Sequence, residues 1–229
     1  MKIKTVIYQQ ELLGKIPPQD FKTIKNLNPD HVCLPEYFFH PDFIAYKDSM
    51  KLMKEYSEEL NCTLIGGSTV LEENGKFYNT CYIFHKGKEK GSYKKINLFF
   101  REQGKITPGS EFFTYKFNAI NIGLMICADA LSETAWNKMA GLNPDIVYIP
   151  TFSPYKEETK EEKFKRDEEL YVAGAKKCGC PVVKVCCIGQ FKDTKLQGRS
   201  LVADPNGILW RVEPENENDK IIKKIEIEV

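Results

Sequence analysis

GLMICADA, residues 123–130, joins a run of apolar residues to a cysteine that is followed by a small residue and an acid. The run predicts a strand, and alternation along that strand separates Cys127 from the face that carries Ile120, Ile122 and Leu124. A buried cysteine is commonly an inert small hydrophobe. A cysteine at a strand end can instead act as a nucleophile when a base and an oxyanion donor lie nearby. The rest of the chain decides between these two roles.

Short apolar segments bounded by turn-forming residues predict further strands around this stretch. The predicted strands lie at 4–9, 30–36, 63–95 (a series of hairpins), 112–127, 145–151, 181–187 and 200–212. Apolar residues at helical spacing predict a short helix that starts at Pro17 and longer helices at 48–61, 131–140 and 156–177. Strands that alternate with helices indicate an α/β protein in which two sheets stack under helical layers. No linker is visible, so a single domain over 1–229 is expected.

Charge and hydropathy argue against several classes of partner. The 33 basic and 32 acidic side chains leave a net charge of +1, which gives no electrostatic reason to expect nucleic acid or an anionic membrane. No apolar run has the length that a membrane-spanning helix needs, and the amino terminus does not resemble a signal peptide. We therefore expect a cytoplasmic location and no membrane partner.

The eight cysteines do not match a metal site or a disulfide scaffold. Zinc sites use paired Cys-x-x-Cys or Cys/His spacing, whereas this chain has Cys178-Gly-Cys180 and the adjacent pair Cys186 and Cys187. Without an export signal, a disulfide framework is not expected either. The sequence predicts reduced thiols and no metal or other cofactor, with a zinc protein as a minor alternative.

Three ionisable residues stand just past the end of a predicted strand, where open α/β sheets place their sites. They are Glu36 in HVCLPEYFF, Lys95 in GSYKKINLFF and Cys127. A carboxylate can take the proton of a thiol and return it to a leaving amine, and an ammonium can stabilise an oxyanion. Each residue also has a plain structural interpretation, as a solvated acid, a solubilising lysine or a core cysteine.

The same three segments, in this order, resemble the nitrilase superfamily of carbon–nitrogen hydrolases. LPEYFF (34–39) resembles the family's Glu motif, YKKINLF (93–99) its Lys motif and GLMICAD (123–129) its Cys motif. The segments between them also match, including IGGSTVLEENGKFYNTCYIF (65–84) and GRSLVADPNGIL (198–209). The resemblance implies an α-β-β-α sandwich and a Glu-Lys-Cys triad. It also implies cleavage of a non-peptide carbon–nitrogen bond through a thioester on Cys127, without a cofactor.

The resemblance implies further roles. Glu102 matches the family's second Glu, which holds the Lys, and the N–H of Ala128 would share the oxyanion with Lys95. Position at strand ends makes four aromatic residues candidates for binding a small substrate: Tyr37, Phe39, Phe152 and Tyr155. The expected substrate is a small amide or carbamoyl compound, with a nitrile as a further option. By analogy the protein would form a homodimer.

Departures from the family pattern leave other functions open. Asn97 stands where the family usually has His, and Ala128 stands where an aromatic residue is common. One alternative is a catalytically silent binding or scaffold protein with the same fold. Another is a papain-type Cys/His hydrolase, although the contexts of the three histidines (His31, His40 and His85) do not fit one. An activated Cys127 is expected to react with thiol reagents ahead of the other seven cysteines.

Overall fold

The computed structural model describes residues 1–117 and 119–229. The predicted segment 112–127 forms two strands, and its residue Asn118 lies outside the described residues. The strands in the described part of the chain are β1 (Lys2–Glu11), β2 (His31–Cys33), β3 (Thr63–Ile65), β4 (Thr69–Glu73), β5 (Lys76–His85), β6 (Lys88–Lys94), β7 (Phe113–Phe117), β8 (Ile120–Leu124), β9 (Ile146–Thr151), β10 (Val182–Ile188), β11 (Gln190–Phe191), β12 (Thr194–Lys195), β13 (Leu201–Asp204), β14 (Gly207–Arg211) and β15 (Ile221–Glu228).

The main sheet is one hydrogen-bonded network that curls into two leaves. The first leaf has the order β15-β1-β2-β3-β5-β6, with β4 paired to the first half of β5. The second leaf has the order β14-β13-β10-β9-β8-β7. Among the described residues, backbone pairing connects the leaves only where β1 meets the end of β10, at the pairs Gln10–Cys187 and Glu11–Ile188. Strands β1, β2 and β3 are parallel, as are β8, β9 and β10.

The helices lie outside the two leaves. They are α1 (Pro18–Asn26), α2 (Tyr46–Glu59), α3 (Glu133–Ala140), α4 (Lys160–Asp167) and α5 (Ala173–Cys178). A π-helical turn at Glu168–Val172 joins α4 to α5, so the helix expected at 156–177 is present with a wide turn in its middle. None of the helices in the described residues combines the length and apolar character that crossing a bilayer would need.

Three apolar cores define the layers. The central core joins the leaves and includes Ile7 from β1 and Tyr148 from β9. A second core packs α1 and α2 against the first leaf and includes Met53. A third core packs α3 and α5 against the second leaf and includes Trp136. This is the α-β-β-α arrangement that the resemblance implies, and it confirms the fold class.

The structure adds two features to the sequence prediction. The two sheets are joined along one edge instead of being separate. The chain also does not finish with the hairpin at 200–212, because β15 follows and pairs antiparallel with β1 over its whole length, from Lys2–Glu228 to Gln9–Ile221. The turn Asp204-Pro205-Asn206-Gly207 connects β13 to β14, as predicted.

Candidate active site

A tight turn after β2 carries Glu36. The next residue, Tyr37, has a left-handed backbone with φ +59°, which bulky residues rarely adopt. The loop after β3 supports this turn, because the Ser68 hydroxyl accepts the Tyr37 N–H at 2.9 Å. A Cβ at Gly67 would stand 2.1 Å from the Pro35 carbonyl oxygen, so only glycine allows the two segments to approach this closely.

The Glu36 carboxylate is 1% exposed and receives three hydrogen bonds. Its Oε1 accepts from Lys95 Nζ at 2.8 Å and from Asn79 Nδ2 at 2.8 Å, and its Oε2 accepts from the Phe152 N–H at 2.7 Å. Burial raises the pKa of Glu36 above its ordinary value, and the nearby charge of Lys95 offsets only part of that rise. Glu36 is therefore an oriented carboxylate that binds a proton more readily than a solvated one.

Lys95 stands immediately after β6 and lies between two carboxylates. Its Nζ is 2.8 Å from Glu36 Oε1 and 2.6 Å from Glu102 Oε2, and the residue is 1% exposed. Burial alone would lower the pKa of Lys95, but the negative charges around it outweigh burial and the pKa is raised. The site thus holds a permanent ammonium.

Glu102 is fixed by more hydrogen bonds than Glu36. Its Oε2 accepts from Lys95 and from the Phe99 N–H at 2.8 Å, and its Oε1 accepts from the Tyr37 hydroxyl and from Asn79 Nδ2 at 2.9 Å. Burial acts to raise the pKa of Glu102, but Lys95 and the hydrogen bonds outweigh it and the pKa is lowered. Glu102 is held as a carboxylate that orients Lys95.

Cys127 begins a 3-10 turn after β8 and has a left-handed backbone with φ +45°. Non-glycine residues in that conformation carry strain, which is common at functional sites. Its thiol donates to the Phe152 carbonyl oxygen at 3.4 Å. Burial, followed by the negative charge of Glu36, raises the pKa of Cys127 well above its ordinary value. The resting thiol is therefore protonated at neutral pH and needs a base to become a nucleophile.

Asp129 ties the cysteine turn to the lysine segment. Its carboxylate is fully buried and accepts the Ile126 N–H at 2.9 Å and the Tyr93 hydroxyl at 2.7 Å. It also accepts the backbone N–H of Asn97 at 2.7 Å and the Asn97 side chain at 3.1 Å. Asn97, the departure from the family pattern, thus bonds to Asp129 and helps to hold the turn.

One cavity of about 530 Å³ opens onto these groups. Its lining includes all four members of the cysteine cluster, the name used below for Glu36, Lys95, Glu102 and Cys127. The cluster comes together because Glu36 and Cys127 follow parallel strands that point to the same edge of the sandwich. Exposed Arg101, Lys105 and Lys192 lie at the rim, the last on the β11–β12 hairpin.

Two of the four predicted aromatic residues, Tyr37 and Phe152, line the cavity, and the other two do not. Phe39 is fully buried in the core under α2, because its turn points it inward and its ring packs edge-on against Phe38. Tyr155 is 50% exposed and lies beside Lys195, with its N–H bonded to the Lys195 carbonyl at 2.8 Å. These two predictions placed aromatic residues by chain position alone.

Ala128, the other predicted binding residue, is 6% exposed and follows Cys127 in the 3-10 turn. It is not among the lining residues. The predicted role of Ala128 is to donate its backbone N–H to the oxyanion of a bound substrate, and this role stays a prediction.

Sequence reasoning missed Asn79, which touches both carboxylates of the cluster. The available signal was a carboxamide in a strand whose next residues, from Thr80 to Phe84, are buried and mostly apolar. It also missed the β11–β12 hairpin, which supplies Phe191 and Lys192 to the cavity.

A second cavity, of about 410 Å³, lies at the opposite end of β2 and β3 and includes His31 and His85 in its lining. His31 Nδ1 bonds to the Tyr148 hydroxyl at 2.8 Å, so the His31 ring lies at this end of the sheet and not beside Cys127. Within the described residues, no group of three or more His, Cys, Asp or Glu side chains could hold a metal ion.

Comparison with known proteins gives a family and a set of relatives. The carbon–nitrogen hydrolase family model matches residues 25–229. The chain is 30% identical to an omega-amidase of Xenopus laevis, NIT2-B, over 171 residues, which cover 63% of this chain and 61% of that protein. It is 34% identical to the human omega-amidase NIT2 over 117 residues, which cover 43% of this chain and 42% of that protein. The chain thus spans less than two thirds of the length of these relatives.

Solved structures show the same fold. A carbon–nitrogen hydrolase from Helicobacter pylori superposes with a TM-score of 0.82 at 20% identity, over 100% of this chain and 90% of that chain. Saccharomyces cerevisiae Nit3, a member of the nitrilase superfamily, superposes with a TM-score of 0.76 at 21% identity, over 99% of this chain and 90% of that chain. The match of the family model over most of the chain shows that the chain belongs to the carbon–nitrogen hydrolase family.

Proposed function

We propose that the protein hydrolyses the carbon–nitrogen bond of a small amide through a thioester on Cys127. The thiol sulfur attacks the amide carbonyl carbon, the C–N bond breaks, and ammonia or an amine leaves. Water then attacks the thioester carbonyl, the C–S bond breaks, and the carboxylic acid and the free thiol are released. No oxidant, reductant or metal enters this balance.

Glu36 would act as the general base and acid. Because the pKa of the Cys127 thiol is raised, a base must take its proton as the C–S bond forms. The pKa of Glu36 is also raised, so that its carboxyl can return the proton to the leaving nitrogen. The Phe152 N–H at 2.7 Å holds Glu36, and the Phe152 carbonyl receives the thiol at 3.4 Å, so one backbone unit contacts both partners.

Lys95 would stabilise the oxyanion of the tetrahedral intermediate, together with the N–H of Ala128. Its ammonium is oriented by Glu36 and Glu102 at 2.8 and 2.6 Å before any substrate arrives. A preorganised buried charge of this kind stabilises developing negative charge more than solvent does. The observation that carries the proposal is the meeting of Cys127, Glu36 and Lys95 in one cavity.

For the substrate we propose an ω-amide, a small amide with a carboxylate at its other end. Two observations support this choice: the relatives in the comparison are omega-amidases, and the rim of the cavity carries three cationic side chains. Arg101 donates to the Thr194 hydroxyl across the rim, and Lys192 pairs with Asp42 at 3.0 Å. Carbamoyl compounds and nitriles are the other substrates to test.

The test is ammonia release from a panel of small amides, ω-amides, carbamoyl compounds and nitriles. We expect turnover of at least one ω-amide by the wild-type protein and no turnover by Cys127→Ala. Full activity of Cys127→Ala would overturn the mechanism. Absence of turnover across the whole panel would favour the alternative of a catalytically silent scaffold with the same fold.

Three further expectations from the sequence also stand as proposals: a single domain over 1–229, a homodimer and a cytoplasmic location. Sedimentation equilibrium of the purified chain measures the assembly. A mass of about 53 kDa, twice the 26.4 kDa of the chain, supports a homodimer, and a mass equal to that of one chain contradicts it.

A further inference from the structure

Asn79 lies at the centre of the cysteine cluster without being one of its reactive groups. It is fully buried near the middle of β5. Its Nδ2 donates to Glu36 Oε1 at 2.8 Å and to Glu102 Oε1 at 2.9 Å. Its backbone carbonyl accepts the Lys95 N–H at 2.9 Å. A single residue thus contacts three of the four members of the cluster.

The chemistry of the carboxamide fits this place. An NH₂ group has two hydrogens, so Asn79 can give one to each carboxylate. Glu36 and Glu102 both accept from the Asn79 nitrogen and repel each other, and Lys95 is the one cation that pairs with them in the part of the chain that the structure describes. A neutral double donor stabilises both ionised carboxylates without adding a charge. Hydrogen bonding to a charged form lowers its pKa, so Asn79 opposes the rise that burial causes in Glu36.

The carboxamide oxygen of Asn79 also indicates that the residue is not there for packing. The Asn79 Oδ1 atom is buried and has no hydrogen-bond partner among the described residues. A buried acceptor without a partner destabilises the fold, so packing does not explain a carboxamide at this position. The amide also has a defined orientation, because turning Oδ1 towards Glu36 and Glu102 would place three acceptors together.

We propose that Asn79 is a positioning residue that keeps Glu36 ionised, and in place to take the proton of Cys127, over the working pH range. This inference rests on the proposed function, since it concerns the base of that mechanism. If Asn79 acts in this way, its removal changes the pH at which Glu36 can accept a proton. Removal of a purely structural residue would not change that pH.

The experiment measures alkylation of Cys127 by iodoacetamide across pH 4–9, by mass spectrometry of the Cys127 peptide, in the wild type and in Asn79→Ala. The rate of alkylation rises with pH as Glu36 becomes able to accept the thiol proton. Loss of one donor to the charged form moves the midpoint of that rise up by about one pH unit. The acid limb of kcat for an amide substrate moves in the same direction, with a smaller change in KM.

Thr80→Val is the matched control. Thr80 is the next residue on β5 and is equally buried, and within the described residues its hydroxyl bonds only to the backbone carbonyl of Tyr78, at 3.2 Å. We expect its midpoint and kcat to equal those of the wild type. A midpoint that moves equally in Thr80→Val and Asn79→Ala would overturn the proposal, because it would report a general loosening of β5.

Asn79→Leu separates hydrogen-bond donation from packing. Leucine has the same branched shape as asparagine but no hydrogen-bond donor, so a packing role predicts that Asn79→Leu is milder than Asn79→Ala. A donor role predicts that both variants move the midpoint up, because both remove the donor to Glu36. We expect the midpoints of Asn79→Leu and Asn79→Ala to agree, both above that of the wild type.

An unchanged midpoint in Asn79→Ala, or a wild-type midpoint in Asn79→Leu, contradicts the inference. Alkylation needs no turnover, so the inference is tested even if the amide panel gives no substrate. An inactive wild-type protein whose Cys127 alkylation still depends on Asn79 would reject the proposed function alone.

Discussion

Within the described residues, two buried groups each combine acidic with basic side chains, and the two groups are built differently. The cysteine cluster follows the ends of β2, β6 and β8. The second group, here called the arginine cluster, joins α4 to the segments after β12 and β14. Its members are Glu158, Lys163, Asp167, Arg199 and Glu217.

The two clusters differ in how their carboxylates are bonded. Every carboxylate oxygen of Glu36 and Glu102 accepts at least one hydrogen bond. In the arginine cluster, by contrast, some buried side-chain atoms have no hydrogen-bond partner within the described residues: Glu158 Oε2, Asp167 Oδ1, Arg199 Nη1 and Glu217 Oε1. Its ion pairs span distances from 2.7 to 3.7 Å, and among them the Lys163–Glu217 pair at 2.7 Å is also a hydrogen bond.

This difference distinguishes two uses of buried charges: to orient a side chain and to hold segments of the fold together. Directional hydrogen bonds fix where a carboxylate points, which matters when it must meet a thiol proton. Ion pairs without good hydrogen-bond geometry can still hold segments of a fold together. The cysteine cluster also faces a cavity and includes a thiol, whereas no arginine-cluster residue is among those that line that cavity. Burial of charge alone therefore does not identify a site.

The largest expected effect is on the nucleophile. Cys127→Ala should lower kcat by about 10⁴-fold or more, as removal of a nucleophile does in other hydrolases. The side chain is small and partly exposed, so the free energy of unfolding should change little. Ammonia release and urea unfolding of the same sample measure the two quantities. Residual activity above a hundredth of wild type would place the nucleophile elsewhere.

Lys95→Met should come next. Loss of one oxyanion donor commonly lowers kcat by about 10²–10³-fold. The change also leaves Glu36 and Glu102 buried without their cation, so that the pKa of both carboxyls should rise and the fold should be less stable. Comparison of kcat per folded molecule, with the folded fraction from circular dichroism, isolates the catalytic part. Near-wild-type kcat in the folded fraction would exclude Lys95 from the oxyanion role.

In the arginine cluster, Arg199→Met should lower stability much more than it lowers kcat. Arg199 is 3% exposed and pairs with Asp167 at 2.9 Å, with Glu217 at 3.5 Å and with Glu158 at 3.7 Å. Removing one partner of a buried ion pair destabilises a protein by about 3–5 kcal/mol. We expect a loss of this size in urea unfolding, with kcat per folded molecule within a few-fold of wild type. A large fall in kcat without a loss of stability would contradict the assignment of the arginine cluster to stability and of the cysteine cluster to catalysis.

The smallest expected effect concerns thiol reactivity, and here the structure changes the expectation from sequence. Burial raises the pKa of Cys127, whereas the hydrogen bond with Cys180 lowers the pKa of the half-buried Cys178. At pH 7 the bulky reagent DTNB should therefore modify Cys178 several-fold faster than Cys127. The fast phase should vanish in Cys178→Ser and persist in Cys127→Ala. The opposite assignment would mean that Cys127 is ionised at rest.

Much of this could be predicted from the sequence because the signals were local. Alternation and turn residues predicted the strands, and the resemblance of the motifs around Glu36, Lys95 and Cys127 to the nitrilase superfamily implied which strand ends would meet. Glu102 was predicted from its place after the Lys motif, and the structure puts it 2.6 Å from Lys95.

The parts that sequence did not predict depend on contacts between distant residues. Asn79 is 43 residues from Glu36 and 23 from Glu102, and nothing in its neighbourhood shows that it bonds to both. Strand β15 pairs with β1 across the length of the chain, from Lys2 to Glu228. Residue order does not show how a turn directs its side chains, so Phe39 was predicted to line the pocket. The turn at Tyr37 directs the Phe39 ring into the core instead.

The central claim is that Cys127 carries the acyl group of the substrate during turnover. Acid quenching of a reaction with an ω-amide substrate, followed by peptide mass spectrometry, tests it directly. We expect an acyl adduct on the peptide that contains Cys127, with an added mass equal to that of the substrate less ammonia, and no such adduct in Cys127→Ala. Turnover that proceeds with no adduct at any time, or with the adduct on another cysteine, would contradict it.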